Sequence, residues 1–313
     1  MAASSPNQSA FSKPPVERMG GLFCASVDEL VADVGDGSRL AIGKEETGAS
    51  LAATLALIRR KVRGLHLICL PVSGLQADLL IGAGCVETVE TSGLSLGEAG
   101  VAPCFSRAVR TRRIRVIDGT CPAIYAGFQA AQKGIPFMPL RGILGSDLLR
   151  HRGSWKVIDN PFASDHAQAA MGDPLVAVEA IVPDVALFHA RSADPDGNVF
   201  VGRDRDGLLL AHASRRTLVT VEAVSDENLL SDPLRAGATL PELYISGIAR
   251  TPRGAAPLGF AESYKADTAF LNRYARLAAS DDGFCEVLEE LLGMHRLHGA
   301  PIGPAMGSRS DVG

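Results

Sequence analysis

Between Gly64 and Pro71 the chain reads Leu-His-Leu-Ile-Cys-Leu, and this stretch limits the possible folds more than any other. A run that is apolar on both alternating sets of positions suits a strand covered on both faces, as happens when helices pack on each side of a parallel sheet. The flanking segments repeat the theme. Arg39-Leu-Ala-Ile-Gly43 reads as a strand entering a glycine turn, residues 49–60 as a helix and residues 77–81 as a short one. Cys85-Val-Glu-Thr-Val-Glu90 and Ile114-Arg-Val-Ile117 read as strands, and residues 122–133 as a helix with proline at its start and Gly134 after its end. Such alternation predicts an α/β fold, an open and largely parallel sheet flanked by helices.

Beyond the helix at 122–133 the text changes. Residues 159–173 read as an inserted loop region, and strands resume at Leu175-Val-Ala-Val178, Val185-Ala-Leu-Phe-His189 and Thr217-Leu-Val-Thr-Val-Glu222. Phe270, Leu271, Tyr274 and Leu277 recur at helical spacing, so helices are predicted over 267–279 and 283–292, packed across the sheet or against a partner. Residues 1–20 and 299–313, rich in Gly, Pro and Ser, are expected to be disordered tails around a single α/β domain over 21–298. A chain of 313 residues, 46% of them hydrophobic, can fill one core of that size.

The net charge of −4, with both signs interspersed, offers neither a basic stripe for nucleic acid nor a polybasic patch for membranes. Six cysteines, at 24, 69, 85, 104, 121 and 285, form no C-x-x-C pair and are expected to be buried thiols in a reducing compartment. With no secretory apolar core at the start and no apolar run of ~18 residues, a cytoplasmic protein is expected.

Local motifs exclude more than they assign. In Ser192-Ala-Asp-Pro-Asp-Gly-Asn-Val-Phe200 the register defeats a calcium loop: counted from Asp194, glycine falls at position four and Arg205 at position twelve. Pro195-Asp-Gly-Asn198 instead suits a turn between two strands. Gly82-Ala-Gly84 meets Glu87 where a dinucleotide fingerprint needs its third glycine. There is no phosphate-binding P-loop, no G-x-S-x-G elbow and no H-E-x-x-H pair, and no metal set is predicted. Among the carboxylates, Glu98 stands out in Gly97-Glu-Ala-Gly100, where neighbouring glycines leave room for a substrate to approach; its plainer reading is a surface glutamate at a helix start. Glu45 and Glu46, beside Lys44, read as a solvated loop. Arg107, Arg110, Arg112, Arg113 and Arg115 form either an exposed helix face or an anchor for an anionic ligand.

Taken in order, several stretches resemble the family I coenzyme A-transferases, specifically the alpha-type subunit similar to that of glutaconate CoA-transferase. They are Asp36-Gly37 with Leu40-Ala-Ile-Gly43, Ala77-Asp-Leu-Leu-Ile-Gly-Ala-Gly-Cys-Val86, Glu98-Ala-Gly-Val-Ala-Pro103 with Phe105 and Arg107, and Pro183-Asp-Val-Ala-Leu-Phe-His-Ala190 running into the turn above. Thr217-Leu-Val-Thr-Val-Glu222 is a further match and Gly254-Ala-Ala-Pro257 a weaker one. The resemblance covers roughly residues 25–265.

The resemblance implies an alpha half that packs on a beta half as a heterodimer or heterotetramer and binds acyl-CoA at their junction, coenzyme A being a substrate moiety and no separate cofactor being needed. The nucleophilic glutamate of such transferases belongs to the beta half, in a Glu-Asn-Gly or similar context. This chain has none: its only Glu-Asn, Glu227-Asn228, is followed by Leu229. It is therefore expected to be the alpha subunit of a CoA-transferase, with Glu98 catalytic and Gly43, Arg107 and Arg141 binding the acyl or CoA group. One departure stands out. Where the alpha-type motif has Gly-Gly-Phe, this chain has Gly43-Lys44-Glu45. Related ring-opening CoA-hydrolases of steroid degradation suggest an alternative in which Glu98 serves as general base, and a non-catalytic acyl-CoA-binding protein of the same fold is a third reading.

Overall fold

The computed structural model describes residues 21–45, 48–163, 172–261 and 263–298. The two predicted tails, like Glu46, lie outside the described residues. In chain order come α1 (Val27–Leu30), β1 (Arg39–Ile42), α2 (Leu51–Arg59), β2 (Leu65–Cys69), α3 (Leu75–Gly82), β3 (Val86–Thr91), α4 (Pro103–Arg110) and β4 (Arg115–Asp118). The four strands lie side by side and parallel, with Leu40 opposite Leu67, Leu67 opposite Val89 and Val89 opposite Val116. The Leu65–Cys69 run is the doubly covered strand its composition predicts. Leu65, Leu67 and Cys69 join the core formed with α2, α3 and α4, whereas Ile68 and the following Leu70 join the core on the opposite face.

Next come α5 (Cys121–Gln132), β5 (Phe137–Leu140), α6 (Leu148–His151), β6 (Trp155–Asp159) and β7 (Pro174–Glu179). Here the structure corrects the sequence reading. Strands on either side of residues 159–173 form a separate antiparallel sheet in the order β5-β7-β6, and Leu175–Val178 belongs to it, not to the main sheet. The small sheet has its own core: Trp155, Val176 and Val178 pack with Ala123 and Ala126 of α5, whereas Lys156, Val157 and Glu179 are exposed. Pro139, which hides this strand from a propensity reading, is tolerated because β5 is an edge strand.

The remaining elements are β8 (Val185–Ala193), β9 (Val199–Phe200), α7 (Arg205–Ala213), β10 (Arg216–Val224), β11 (Thr239–Leu240), β12 (Gly247–Arg250), α8 (Thr268–Leu277) and α9 (Asp281–His298). β8 pairs in parallel with β1 on one side and β10 on the other, and β10 with β12. Helices α2 to α4 cover one face of the sheet and α5 and α7 the other, so direction reverses between neighbouring β1 and β8. A crevice outside the carboxyl ends of strands at such a reversal is where open α/β sheets bind ligands. α8 and α9 add Tyr274, Phe284, Val287 and Leu291 to the α2–α4 face. No helix among the described residues is long and apolar enough to cross a membrane.

The stretch 192–200 is the turn between antiparallel β8 and β9, held by a buried carboxylate. Asp194 accepts hydrogen bonds from the backbone N–H of Asn198 (2.9 Å), the Asn198 amide (2.8 Å) and the backbone N–H of Leu229 (2.8 Å). Burial works to raise its pKa, but these donors outweigh it and hold the carboxyl below its ordinary value. Folding thus favours the ionised form. The stabilisation is complete above the unfolded value, about 3.9, and is lost as pH falls through the lower folded value. Asp194→Ala is expected to cost about 2 kcal/mol at pH 7 by stranding these donors. Urea denaturation of wild type and variant should show that difference shrinking between pH 7 and pH 3.

Candidate active site

The turns that leave β1, β2 and β3 at their carboxyl ends supply Glu45, Val72 and residues 95–99, and residues 258–261, 264–266 and 271–272 face them. Between them lies a cavity of ≈ 490 Å³. Glu98 sits on its rim in a single 3-10 turn, Gly97–Ala99, exposed to solvent. Gly97 (φ 61°) and Gly100 (φ 104°) are both left-handed, so here the glycines build the turn itself in addition to leaving space around it. The Leu96 N–H to Gly100 carbonyl bond (2.8 Å) closes the turn.

The support below this turn is a residue that the sequence reading quoted without a role. α4 begins after Ala102, which has no capping oxygen, and Pro103 takes its first position. Asp78 of α3 caps it from outside. Its carboxylate accepts the N–H groups of Phe105 (2.7 Å) and Cys104 (3.2 Å) and the hydroxyl of Tyr274 (2.8 Å). Burial prevails over these donors and pushes the Asp78 carboxyl above its ordinary range, and it pushes the Tyr274 phenol well above its own.

Glu45 is not part of a solvated loop. Its Oε2 accepts the N–H of Leu75 (2.8 Å), the first residue of α3, and its side chain lines the cavity. A Cβ on Gly74 would fall 1.5 Å from that oxygen, so the approach requires glycine. Lys44 turns the other way, 3.7 Å from the buried carboxylate of Asp206 on α7, which also accepts the hydroxyl of Tyr125 (3.1 Å). Successive side chains of one turn thus serve the two faces of the sheet.

A second buried network meets the cavity through Tyr264. The tyrosine hydroxyl donates to Glu222 Oε1 (2.7 Å), which also pairs with His189 Nε2 (2.7 Å), while Glu222 Oε2 accepts the N–H of Arg253 (2.8 Å). His189 Nδ1 bonds Thr220 Oγ1 (2.8 Å), and that oxygen reaches Ser50 Oγ (2.7 Å). Burial alone would raise the Glu222 carboxyl; the donors from His189, Arg253 and Tyr264 hold it below the ordinary value. Burial and the Glu222 charge both push the Tyr264 phenol upward. The sequence reading missed this cluster as chemistry, although a histidine inside an otherwise apolar strand was a signal for it.

The predicted binding residues are not gathered around Glu98. Arg107 donates to the Ala278 carbonyl and lies 3.0 Å from Asp281, tying α4 to the junction of α8 and α9 outside the cavity. Arg141 is exposed and grips Asp173 beside the small sheet with both terminal nitrogens, one of them at 2.8 Å. Gly43 is buried, and its carbonyl accepts the Ser73 hydroxyl (2.8 Å). Their guanidinium or backbone groups are engaged by the chain's own fold. Glu227 is likewise exposed and paired with Arg235 (2.7 Å).

Comparison with known proteins agrees with this architecture. The profile of the coenzyme A transferase family matches residues 24–236. An uncharacterized protein of Archaeoglobus fulgidus is 29% identical over 85% of this chain, which spans only 58% of that relative's length. The A-type subunit of glutaconate CoA-transferase from Acidaminococcus fermentans is 28% identical, covering 91% of this chain and 96% of its own. The cholesterol ring-cleaving hydrolase IpdA subunit of Rhodococcus jostii is also 28% identical, covering 81% of this chain and 86% of its own. Among solved structures, a cysteine-to-serine variant of the decarboxylase AibA/AibB superposes with a TM-score of 0.75 at 32% identity, over 87% of this chain and 98% of that one. The glutaconate coenzyme A-transferase of A. fermentans gives 0.78 at 25% identity, over 86% and 88%. The profile match covers more than half of the residues, and the fold is the one these structures share: the chain belongs to the coenzyme A transferase family.

Proposed function

We propose that the chain is the alpha-type subunit of a heteromeric enzyme acting on acyl-CoA thioesters, and that it works as a CoA-transferase with a beta-type partner that supplies the nucleophilic glutamate. The observation that carries this reading is the Glu98 cavity, formed in a chain whose only Glu-Asn pair is exposed and engaged elsewhere. The acyl group occupies the space between Val72, Leu96, Leu258 and Phe260, where apolar walls exclude water, and the thioester faces the partner. In this reading the partner's glutamate attacks the thioester carbonyl and CoA leaves as its thiolate, while Glu98, on the rim, lines the acyl side of the site. The Glu222–Tyr264 bond holds the facing wall in place.

A second reading, CoA-dependent hydrolysis, is favoured by the exposure of Glu98: an open carboxylate on this chain's own cavity can activate water without a nucleophile from the partner. Co-purification with the product of the neighbouring gene tests the proposal. The chain alone should turn over no thioester. The complex should move CoA from an acyl-CoA to a free carboxylic acid, or release the free acid and CoA if the second reading holds. Full turnover by the isolated chain, or failure to form a heteromer, would overturn it.

A further inference from the structure

Among the described residues, three formally charged side chains line the cavity, and two of them are carboxylates: Glu45 and Glu98 against Lys265. Glu45 is held by the fold. Its Oε2 takes the first N–H of α3 at 2.8 Å, and Gly74 leaves the gap through which the carboxylate reaches that position. Leu75 itself is buried behind the lining, so its N–H fixes the carboxylate, and Glu45 carries a half-buried negative charge at the cavity wall. The rest of the lining is apolar or neutral, with Leu258, Phe260 and Leu271 among the apolar residues and Asn272 among the neutral ones. Lys265 is solvent-exposed, where its charge is screened.

We infer that Glu45 is a specificity-determining residue, which turns the cavity against acyl groups ending in a second carboxylate and toward acyl chains with an uncharged end. The inference rests on the reading of this chain as part of an acyl-CoA-binding enzyme. Its physics is repulsion built into the site: an incoming anion meets the half-buried Glu45 carboxylate held in a fixed place, with Glu98 and Lys265 both exposed and screened, whereas a neutral chain of the same length meets apolar walls.

The test uses the assembled complex and two thioesters of equal chain length, pentanoyl-CoA and glutaryl-CoA, with dissociation constants measured by calorimetry. The wild type should bind pentanoyl-CoA about tenfold or more tighter than glutaryl-CoA. Glu45→Gln keeps an oxygen to accept the Leu75 N–H and removes the charge. It should lower the preference by about tenfold, with pentanoyl-CoA binding unchanged within about twofold. Equal binding of the two thioesters by the wild type would overturn the inference alone. So would a preference that survives Glu45→Gln, or one abolished by Glu98→Gln and not by Glu45→Gln. Binding of neither thioester would overturn the acyl-CoA reading and the inference with it.

Discussion

Glu98→Gln is expected to lower turnover of the assembled complex by roughly 10²–10⁴-fold and to change thioester affinity by less than about threefold. Glutamine preserves the shape of the side chain and removes its capacity to take a proton. The residue is exposed on a two-glycine turn, so the substitution should leave stability within about 0.5 kcal/mol. Turnover, binding and unfolding measured on one preparation separate these effects. Unchanged turnover with normal binding would remove Glu98 from the chemistry, and lost binding with normal turnover at saturation would make it a substrate contact only.

The second large effect is structural and lies one layer below. Asp78→Ala is expected to cost about 4 kcal/mol of unfolding free energy, because two backbone N–H groups and the Tyr274 hydroxyl lose their acceptor in a buried place. Tyr274→Phe removes only one of these donors and should cost about 1 kcal/mol. The first turn of α4 follows directly on the Glu98 turn, so Asp78→Ala should also lower activity under conditions where the protein remains folded. Denaturant titration gives the first quantity, and turnover well below the unfolding midpoint gives the second. A loss of stability below about 1 kcal/mol would mean that water or Cys104 replaces the carboxylate.

How far the sequence could be read depended on whether the relevant signal was local. β1, β2, β8 and β10 are visible because their doubly covered stretches are mostly apolar, and β3 and β4 because they alternate. The small sheet was not visible. Pro139 and Pro174 read as breaks, and the alternation of β7 is too short to place it in one sheet or another. Glu98 reads as a candidate because its glycines are adjacent to it. Glu45 and Asp78 acquire their roles from partners about thirty residues away, Leu75 for the first and Cys104 and Phe105 for the second. Arg107 shows the converse case. A basic run with an aromatic neighbour suggests an anion site, but its guanidinium meets Ala278 and Asp281 on a later helical segment. Nothing near Arg107 in the text announces that.

The Tyr264–Glu222 bond has a consequence for remodelling the enzyme. Residues 258–261 and 263–268 are anchored by the Tyr264 hydroxyl on Glu222, by Phe260 packed edge-on against His189 and by Leu258 in the core, while α8 beyond them is secured separately through Tyr274 and Asp78. With Leu258, Phe260 and Tyr264 kept in register, a longer or shorter version of the residues between these anchors would resize the chamber and leave the sheet, α4 and the Glu98 turn as they are. Substrate range in this scaffold can diversify by loop replacement without repeated redesign of the core.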